Sequence, residues 1–191
     1  MKDEDLRTRC EWAMGSEMLT VYHDREWGVP VHDDGRFFEF ILLESAQAGL
    51  SWSTVLRKRE GYREAFKNFD FCEVAQFDGE ITANLLKNGK IIRNRSKIES
   101  AIENAKALIE VRKEFGSFDS YIWKFVCGKQ IRNRWIKQND IPSKTPISEI
   151  MSKDLTRRGF RFMGPTVCYS LMQATGLVND HLVSCFRYRE I

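Results

Sequence analysis

The sequence predicts an all-α protein, and three observations carry that prediction. No stretch alternates apolar and polar residues with the period of two that a half-buried strand shows. Several stretches instead repeat apolar residues at helical spacing, with a capping residue before them and a glycine after. The chain also lacks an internal repeat, a Walker loop and a Rossmann glycine fingerprint, which sets aside solenoids and the nucleotide-binding α/β folds. At 191 residues, 42% hydrophobic and 12% aromatic, it is expected to form one domain over 1–191 with a sizeable core.

The segment from Cys10 to Trp27 reads as irregular, with Trp12, Tyr22 and Trp27 around the triplet Tyr22-His23-Asp24; packing or a metal has to hold it. Asp33 and Asp34 are N-cap residues for the run Phe37 to Ala48, which is apolar on almost every face, as a central buried helix would be. Phe37, Ile41, Glu44 and Ala48 share one stripe, so Glu44 is a carboxylate on an apolar face. Such a group must be met by an arginine, a structural hydrogen bond or a ligand, because an unpaired buried charge is strongly unfavourable. Gly49-Leu50-Ser51 ends this helix, Ser51 or Ser53 caps the next, and Val55, Leu56, Tyr62 and Phe66 follow on one helical period. Trp52 falls at the turn beside Glu44, where its ring either faces a cavity or joins the core.

A short helix from near Asp78 to Leu86 precedes an Asn88-Gly89 turn, and a long helix with Ile98, Ile102, Ala105 and Ile109 on one stripe stops at Gly116. The hinge between them, Lys87 to Lys97, holds five basic residues and no acidic one. Two helices joined by a glycine turn, with Ile91 and Ile92 as an apolar plug, have the layout of a helix-hairpin-helix near 85–98. Backbone N–H groups at Gly89, with Lys90, Arg93 and Lys97, would then bind phosphates of DNA irrespective of sequence. The alternative is a merely solvated basic face. Further on come a short helix around Tyr121 to Val126 and a long basic loop from Gly128 to Pro146. Ser148 or Ser152 opens a helix that ends at Arg158-Gly159, and Gly164-Pro165 opens another that Gly176 stops.

His181 and Cys185, four residues apart on a helical turn capped by Asp180, can bind one metal ion, and Cys10 and His23 offer a second Cys/His pair. Together they make the closed Cys2His2 set of a structural zinc, one per chain, joining the termini (about 1–32 and 160–191) into one lobe beside a helical lobe of about 33–159. The other reading is buried thiols and satisfied histidines. Five cysteines without the density of a secreted scaffold point to reduced thiols, with Cys72, Cys127 and Cys168 expected in the core. The N-terminus Met1 to Asp5 has no apolar leader, and no run of about eighteen apolar residues occurs, so a cytoplasmic protein with no membrane partner is expected. A net charge of +3 is too mild to argue for nucleic acid without its local distribution.

Cys10, Tyr22-His23-Asp24, Glu26 to Pro30, Leu43-Glu44, Gln47 to Trp52, Arg158-Gly159-Phe160 and Gly176 to His181 together resemble the 3-methyladenine DNA glycosylase I family, over Cys10 to about Cys185. The resemblance implies a helix-hairpin-helix DNA glycosylase fold and hydrolysis of the N-glycosidic bond of 3-methyladenine in double-stranded alkylated DNA. It implies a structural zinc on Cys10, His23, His181 and Cys185. It also implies a base pocket of Glu44, Tyr22 and Trp52, with Trp12 and Trp27 completing an aromatic wall. Such an enzyme flips the methylated, positively charged base from the duplex, and Glu44, ionised, would accept from its exocyclic amino group while the rings stack on it. No lysine stands out as a Schiff-base nucleophile, so a monofunctional enzyme without a lyase step is expected; a monomer is expected independently of that. Two positions depart from the family pattern: Lys90 stands where a glycine often precedes Ile-Ile-Arg, and Leu19 where an aromatic can lie. Rival readings are a catalytic zinc hydrolase with Glu26 or Asp24 as base, and a DNA-binding module without activity.

Overall fold

The computed structural model describes residues 7–191; the first six residues of the expected terminal lobe lie outside the described residues. The segment expected to be irregular is in fact helical. A 3-10 turn, Glu11–Gly15, leads into α1 (Glu17–Arg25), whose N-cap Ser16 accepts from Leu19 N. This helix was not legible because its apolar stripe is short and its inward face carries Tyr22 and His23.

The central helix is as expected: Asp33 caps α2 (Asp34–Gln47) by accepting from Arg36 N, and every residue from Phe37 to Ala46 is buried. Next come α3 (Trp52–Leu56), capped by Ser51, and α4 (Arg59–Ala65). The sequence pattern merges these two; a turn at Arg57-Lys58 separates them and lets Arg59 reach Glu26 and Glu39. After α5 (Phe71–Val74), Asp78 caps α6 (Gly79–Leu85), and Asn94 caps α7 (Arg95–Phe115), which ends at Gly116 with a left-handed φ of 86°.

Ser117 opens α8 (Phe118–Ile122), which passes into a 3-10 turn over Trp123–Val126, so helix begins three residues before the expected Tyr121. The long basic loop contains a two-residue strand β1 (Ile131–Arg132), paired in parallel with β2 (Val178–Asn179) late in the chain. Thr145, rather than Ser148 or Ser152, caps α9 (Pro146–Arg157). Pro146 takes the first turn, and Ser148 closes a reciprocal cap by accepting from Thr145 N at 2.9 Å. α10 (Pro165–Ala174) and α11 (Arg187–Glu190) follow.

The core forms where α2 packs against α7, α8 and α10, with Phe37, Phe38, Phe40, Ile41 and Leu43 of α2 almost fully enclosed. Behind α10 the chain folds back tightly: Gly176 has φ +70°, and a Cβ there would lie 2.4 Å from Pro30 N. Only glycine fits that approach, which brings residues 27–30 against the end of α10.

Three expectations are corrected. Cys168 is buried, but Cys72 and Cys127 are exposed, at a helix start and a left-handed helix end respectively. His181 to Cys185 form an irregular turn, not a helical one; the four-residue spacing still converges because Cys185 N bonds back to Leu182 O. Asp180 does not cap it. Its carboxylate is fully buried and accepts from Asn133, Trp135, Tyr169 and Gln173 at 2.5–2.8 Å. Among the described residues no helix is long and apolar enough to cross a membrane.

Candidate functional site

Beside the end of α2 lies a cavity of about 260 Å³ lined by Trp12, Tyr22, Trp27, Glu44 and Trp52, so all five residues expected to form a pocket meet in one place. Tyr22 comes from α1, Glu44 from α2 and Trp52 from the first turn of α3, with Tyr22 and Trp52 ring centroids 5.3 Å apart. Trp12 stands edge-on to Trp27 at 5.0 Å and tilted to Tyr22 at 6.3 Å. Leu19 is half-buried on α1, outside that lining.

Glu44 is 4% exposed, and among the described residues no donor or cation pairs with it. Burial raises its pKa to about 8, so the free protein holds this carboxyl neutral at pH 7. The expected ionised Glu44 belongs to the complex with the base; without a partner, desolvation favours the protonated form. Burial, and then Glu44 itself, keep the Tyr22 phenol neutral. The Trp52 ring nitrogen is also enclosed without a partner. The cavity therefore sets a buried carboxyl among aromatic rings, a lining that suits a flat ring carrying polar groups.

The position of Tyr22 against Glu44 rests on an ion network that the sequence did not reveal. Arg59 donates to Glu26 and Glu39 at 2.8–2.9 Å, Arg36 donates to both, and Arg63 reaches Glu39 at 3.1 Å. Glu39 is 1% exposed, and the arginines tie α2 and α4 to the end of α1. Against its burial, hydrogen bonds from Arg59 and Arg36 hold the Glu26 carboxyl below its usual range.

The Cys/His cluster abuts the aromatic wall. Cys10, His23, His181 and Cys185 are all buried, with donor atoms within 4.8 Å of one another. His23 Nδ1 lies 2.8 Å from Asp24 Oδ1, and His181 Nε2 lies 3.0 Å from Trp27 O. Neither oxygen has a proton to give, so each ring must donate there, leaving the lone pairs of His23 Nε2 and His181 Nδ1 facing each other at 3.1 Å. Cys185 Sγ lies 3.4 and 3.6 Å from these nitrogens, and Cys10 Sγ lies 3.8 Å from His181 Nδ1. A thiol proton or a cation would relieve these facing lone pairs. A tetrahedral ion with nitrogen at about 2.1 Å and sulfur at about 2.3 Å needs N···N near about 3.4 Å and S···N near about 3.6 Å, so the residues fit a metal. The outer partners are also built: Arg9 donates to Asp24, and Leu182 N donates to Cys10 Sγ. Trp12 and Trp27 touch His23, and Trp27 touches His181 at 4.6 Å between centroids, so the cluster and the cavity share a wall.

The basic hinge is docked on α4. Lys58 Nζ donates to Gly89 O at 2.8 Å, Ile92 N donates to Tyr62 OH, and a Cβ at Gly61 would lie 2.5 Å from Lys90 O. Neither Gly89 nor Lys90 has a left-handed backbone, so lysine at 90 is compatible with the turn. Lys90 is exposed and paired with Glu64, and Arg93 is exposed. Lys97 points inward: its ammonium donates to Ala46 O and Ala48 O at 2.7 Å, joining the hinge to the end of the helix that carries Glu44. The sequence also did not disclose Gln47, Gln138, Ile141, Ser170 and Gln173 in the cavity lining. Gln47 opens a recognisable motif and Gln173 lies just before another, whereas Gln138 and Ile141 come from the loop that periodicity could not read.

The site thus sets an unpaired carboxyl in a cage of aromatic rings beside a buried Cys2His2 cluster, with the basic hinge joined through Lys97 to the end of α2. The chain belongs to the methyladenine glycosylase family, whose model matches residues 12–188. It is 44% identical over 180 residues to DNA-3-methyladenine glycosylase 1 of Escherichia coli K12, covering 94% of this chain and 96% of that one. A crystal structure of a 3-methyladenine DNA glycosylase I superposes with a TM-score of 0.91 at 46% identity, covering 94% of this chain and 98% of that one. The Staphylococcus aureus 3-methyladenine DNA glycosylase I, in a structure concerned with 3-methyladenine recognition, superposes with a TM-score of 0.91 at 33% identity, covering 93% and 95% of the two chains.

Proposed function

We infer that this chain is a DNA base-excision glycosylase that hydrolyses the bond between 3-methyladenine and deoxyribose. Family membership supports the reaction class, and one observation of this chain carries the reading: Glu44 stands buried and unpaired in a cage of Trp12, Tyr22, Trp27 and Trp52. Methylation at N3 gives adenine a positive charge, which weakens its glycosidic bond and suits it to stack on electron-rich rings. As that cation enters, the carboxyl of Glu44 releases its proton to solvent and accepts from the exocyclic amino group, an interaction a neutral purine would elicit more weakly. The methylated base leaves as a neutral molecule, so water attack at the sugar needs little acid catalysis. Among the described residues the cavity is lined without a lysine, which supports a monofunctional enzyme leaving an abasic site.

In this reading the Cys2His2 cluster holds a structural zinc, which closes the terminal lobe around Trp12 and Trp27 and takes no part in the chemistry. Four protein donors, with Glu26 held by arginines and Asp24 by Arg9 and His23, argue against a catalytic zinc with either acid as base. The hinge serves as a helix-hairpin-helix gripping double-stranded DNA, within one cytoplasmic, monomeric unit of two lobes. Replacing Lys90 and Arg93 together by alanine is expected to weaken binding to any duplex and to lower the slope of log affinity against log salt by about 1 to 2. An unchanged slope in a salt titration makes these residues a solvated face. Lys97→Ala is a poorer probe because its ammonium caps α2. The reading as a whole is tested by incubating the protein with methylated duplex DNA. Release of free 3-methyladenine, with strands cut only after alkali, is expected; no release removes the enzymatic reading and leaves a DNA-binding module.

A further inference from the structure

We propose that Gln173 is a second recognition residue of the pocket, presenting a fixed acceptor to the base's exocyclic amine beside Glu44. The proposal rests on the excision reading above. Thr166, Ser170 and Gln173 follow one stripe of α10; Ser170 and Gln173 line the base cavity, and Thr166 and Ser170 line an adjoining hollow that Glu44 shares. Gln173 Nε2 donates to Asp180 Oδ2 at 2.7 Å. That carboxylate also accepts from Tyr169, Trp135 and Asn133, so it takes donors only and the NH2 end of the amide has to face it. The carbonyl end is left over. Three partnerless polar atoms are closed off from solvent among the described residues, on Trp52, Gln138 and Arg187. Gln173 Oε1 has no partner among those residues either and is not one of the three, so it is accessible. The backbone carbonyl of Gln173 is taken by Gly28 N and its amide nitrogen by Asp180, which leaves the cavity as the side toward which this oxygen opens.

Glu44 alone cannot tell an amine from a carbonyl. With its pKa raised to about 8, its carboxyl can donate as a neutral acid to a ring carbonyl or accept as an anion from an amine. Gln173 cannot change roles in that way, because turning its amide would set a carbonyl oxygen against the Asp180 carboxylate and leave both without a donor. An exocyclic amine offers two N–H groups, one for each residue. A carbonyl at the same ring position would meet the Gln173 oxygen with a second acceptor. The pair, brought together by the packing of α2 on α10, therefore selects an aminopurine over an oxopurine. Asp180 then has a positioning role: it stands next to His181 of the Cys/His cluster, so one short segment orders both the cluster and the acceptor.

Calorimetry at pH 7 with free 3-methyladenine and with free 3-methylhypoxanthine, which carries a carbonyl in place of the amine, tests this on the parent, Gln173→Met and Gln173→Leu. The parent is expected to favour 3-methyladenine, and both variants to lower that preference by about 10-fold. Both substitutions also remove the bond to Asp180. If Gln173 only braces the wall, that loss weakens the two bases alike, so the ratio of affinities reads recognition where either affinity alone does not. An unchanged ratio in the variants overturns the proposal, whatever their melting temperatures. So does a parent that binds both bases equally well, a result that requires no variant to fold and leaves the excision reading intact. Release of 3-methyladenine from methylated duplex DNA without measurable binding of either free base overturns the proposal alone. If there is neither release nor binding, the excision reading fails first and this proposal falls with it.

Discussion

Cys185→Ser is expected to lose the bound metal and to lower the melting temperature by about 10 °C or more. Cys185 Sγ is the donor that lies within 3.6 Å of both imidazole nitrogens, so its loss opens the set at its centre. A structural zinc contributes folding free energy directly, since no preformed site exists in the unfolded chain. In a chain of this length each kcal/mol shifts melting by about 2–4 °C, so losing about 3–5 kcal/mol gives the stated fall. The effect should reach the pocket. Trp27 supplies the carbonyl that orients His181, and Trp12 packs on His23, so metal loss should weaken binding of the free base as well. Elemental analysis and melting curves check the first part. Full zinc content in Cys185→Ser contradicts the ligand assignment.

Glu44→Gln is expected to lose tenfold or more in 3-methyladenine excision while becoming more stable than the parent, and the gain in stability should grow with pH. Burial raises the Glu44 carboxyl from 4.5 to about 8 in the folded state. Above the unfolded value the folded protein retains a proton that the unfolded chain has released, so stability falls as pH rises from about 4.5 to about 8 and is flat beyond. The full effect is at most about 5 kcal/mol and less after relaxation. Glutamine stays neutral and escapes this penalty, but it cannot become the anion that a cationic base draws out. Urea unfolding of both proteins at pH 5 and pH 8 should therefore show the variant ahead mainly at pH 8, with excision of both followed in parallel. A variant that unfolds easily while its folded fraction excises normally makes Glu44 a structural carboxyl.

Much of this architecture was readable because its signals are local. Asp33, Asp78, Ser51 and Gly116 mark helix ends by their own backbone chemistry, and all four act where expected. Glu44 was conspicuous as a charge on an apolar stripe, and among the described residues none pairs with it. What escaped depends on contacts distant in sequence. Lys97 looked like a phosphate ligand by composition, but its ammonium reaches residues some fifty positions away. Arg59 and Glu26 are 33 residues apart, and no periodicity announces their pairing. Asp180 looked like a cap from its neighbours, whereas its four donors come from the basic loop and α10. Gln138 was hidden for the same reason: its loop gains its course from β2 and Asp180, not from its own residues.

The central claim is that the cage of Trp12, Tyr22, Trp27, Glu44 and Trp52 is where a methylated adenine binds, and a crystal structure of the protein with 3-methyladenine tests it most directly. The account predicts the ring packed against Tyr22 and Trp52 with its amino group within 3.2 Å of a Glu44 oxygen, a hydrogen-bond distance. A base bound elsewhere, or lying in the cage with its amino group turned away from Glu44, would contradict it.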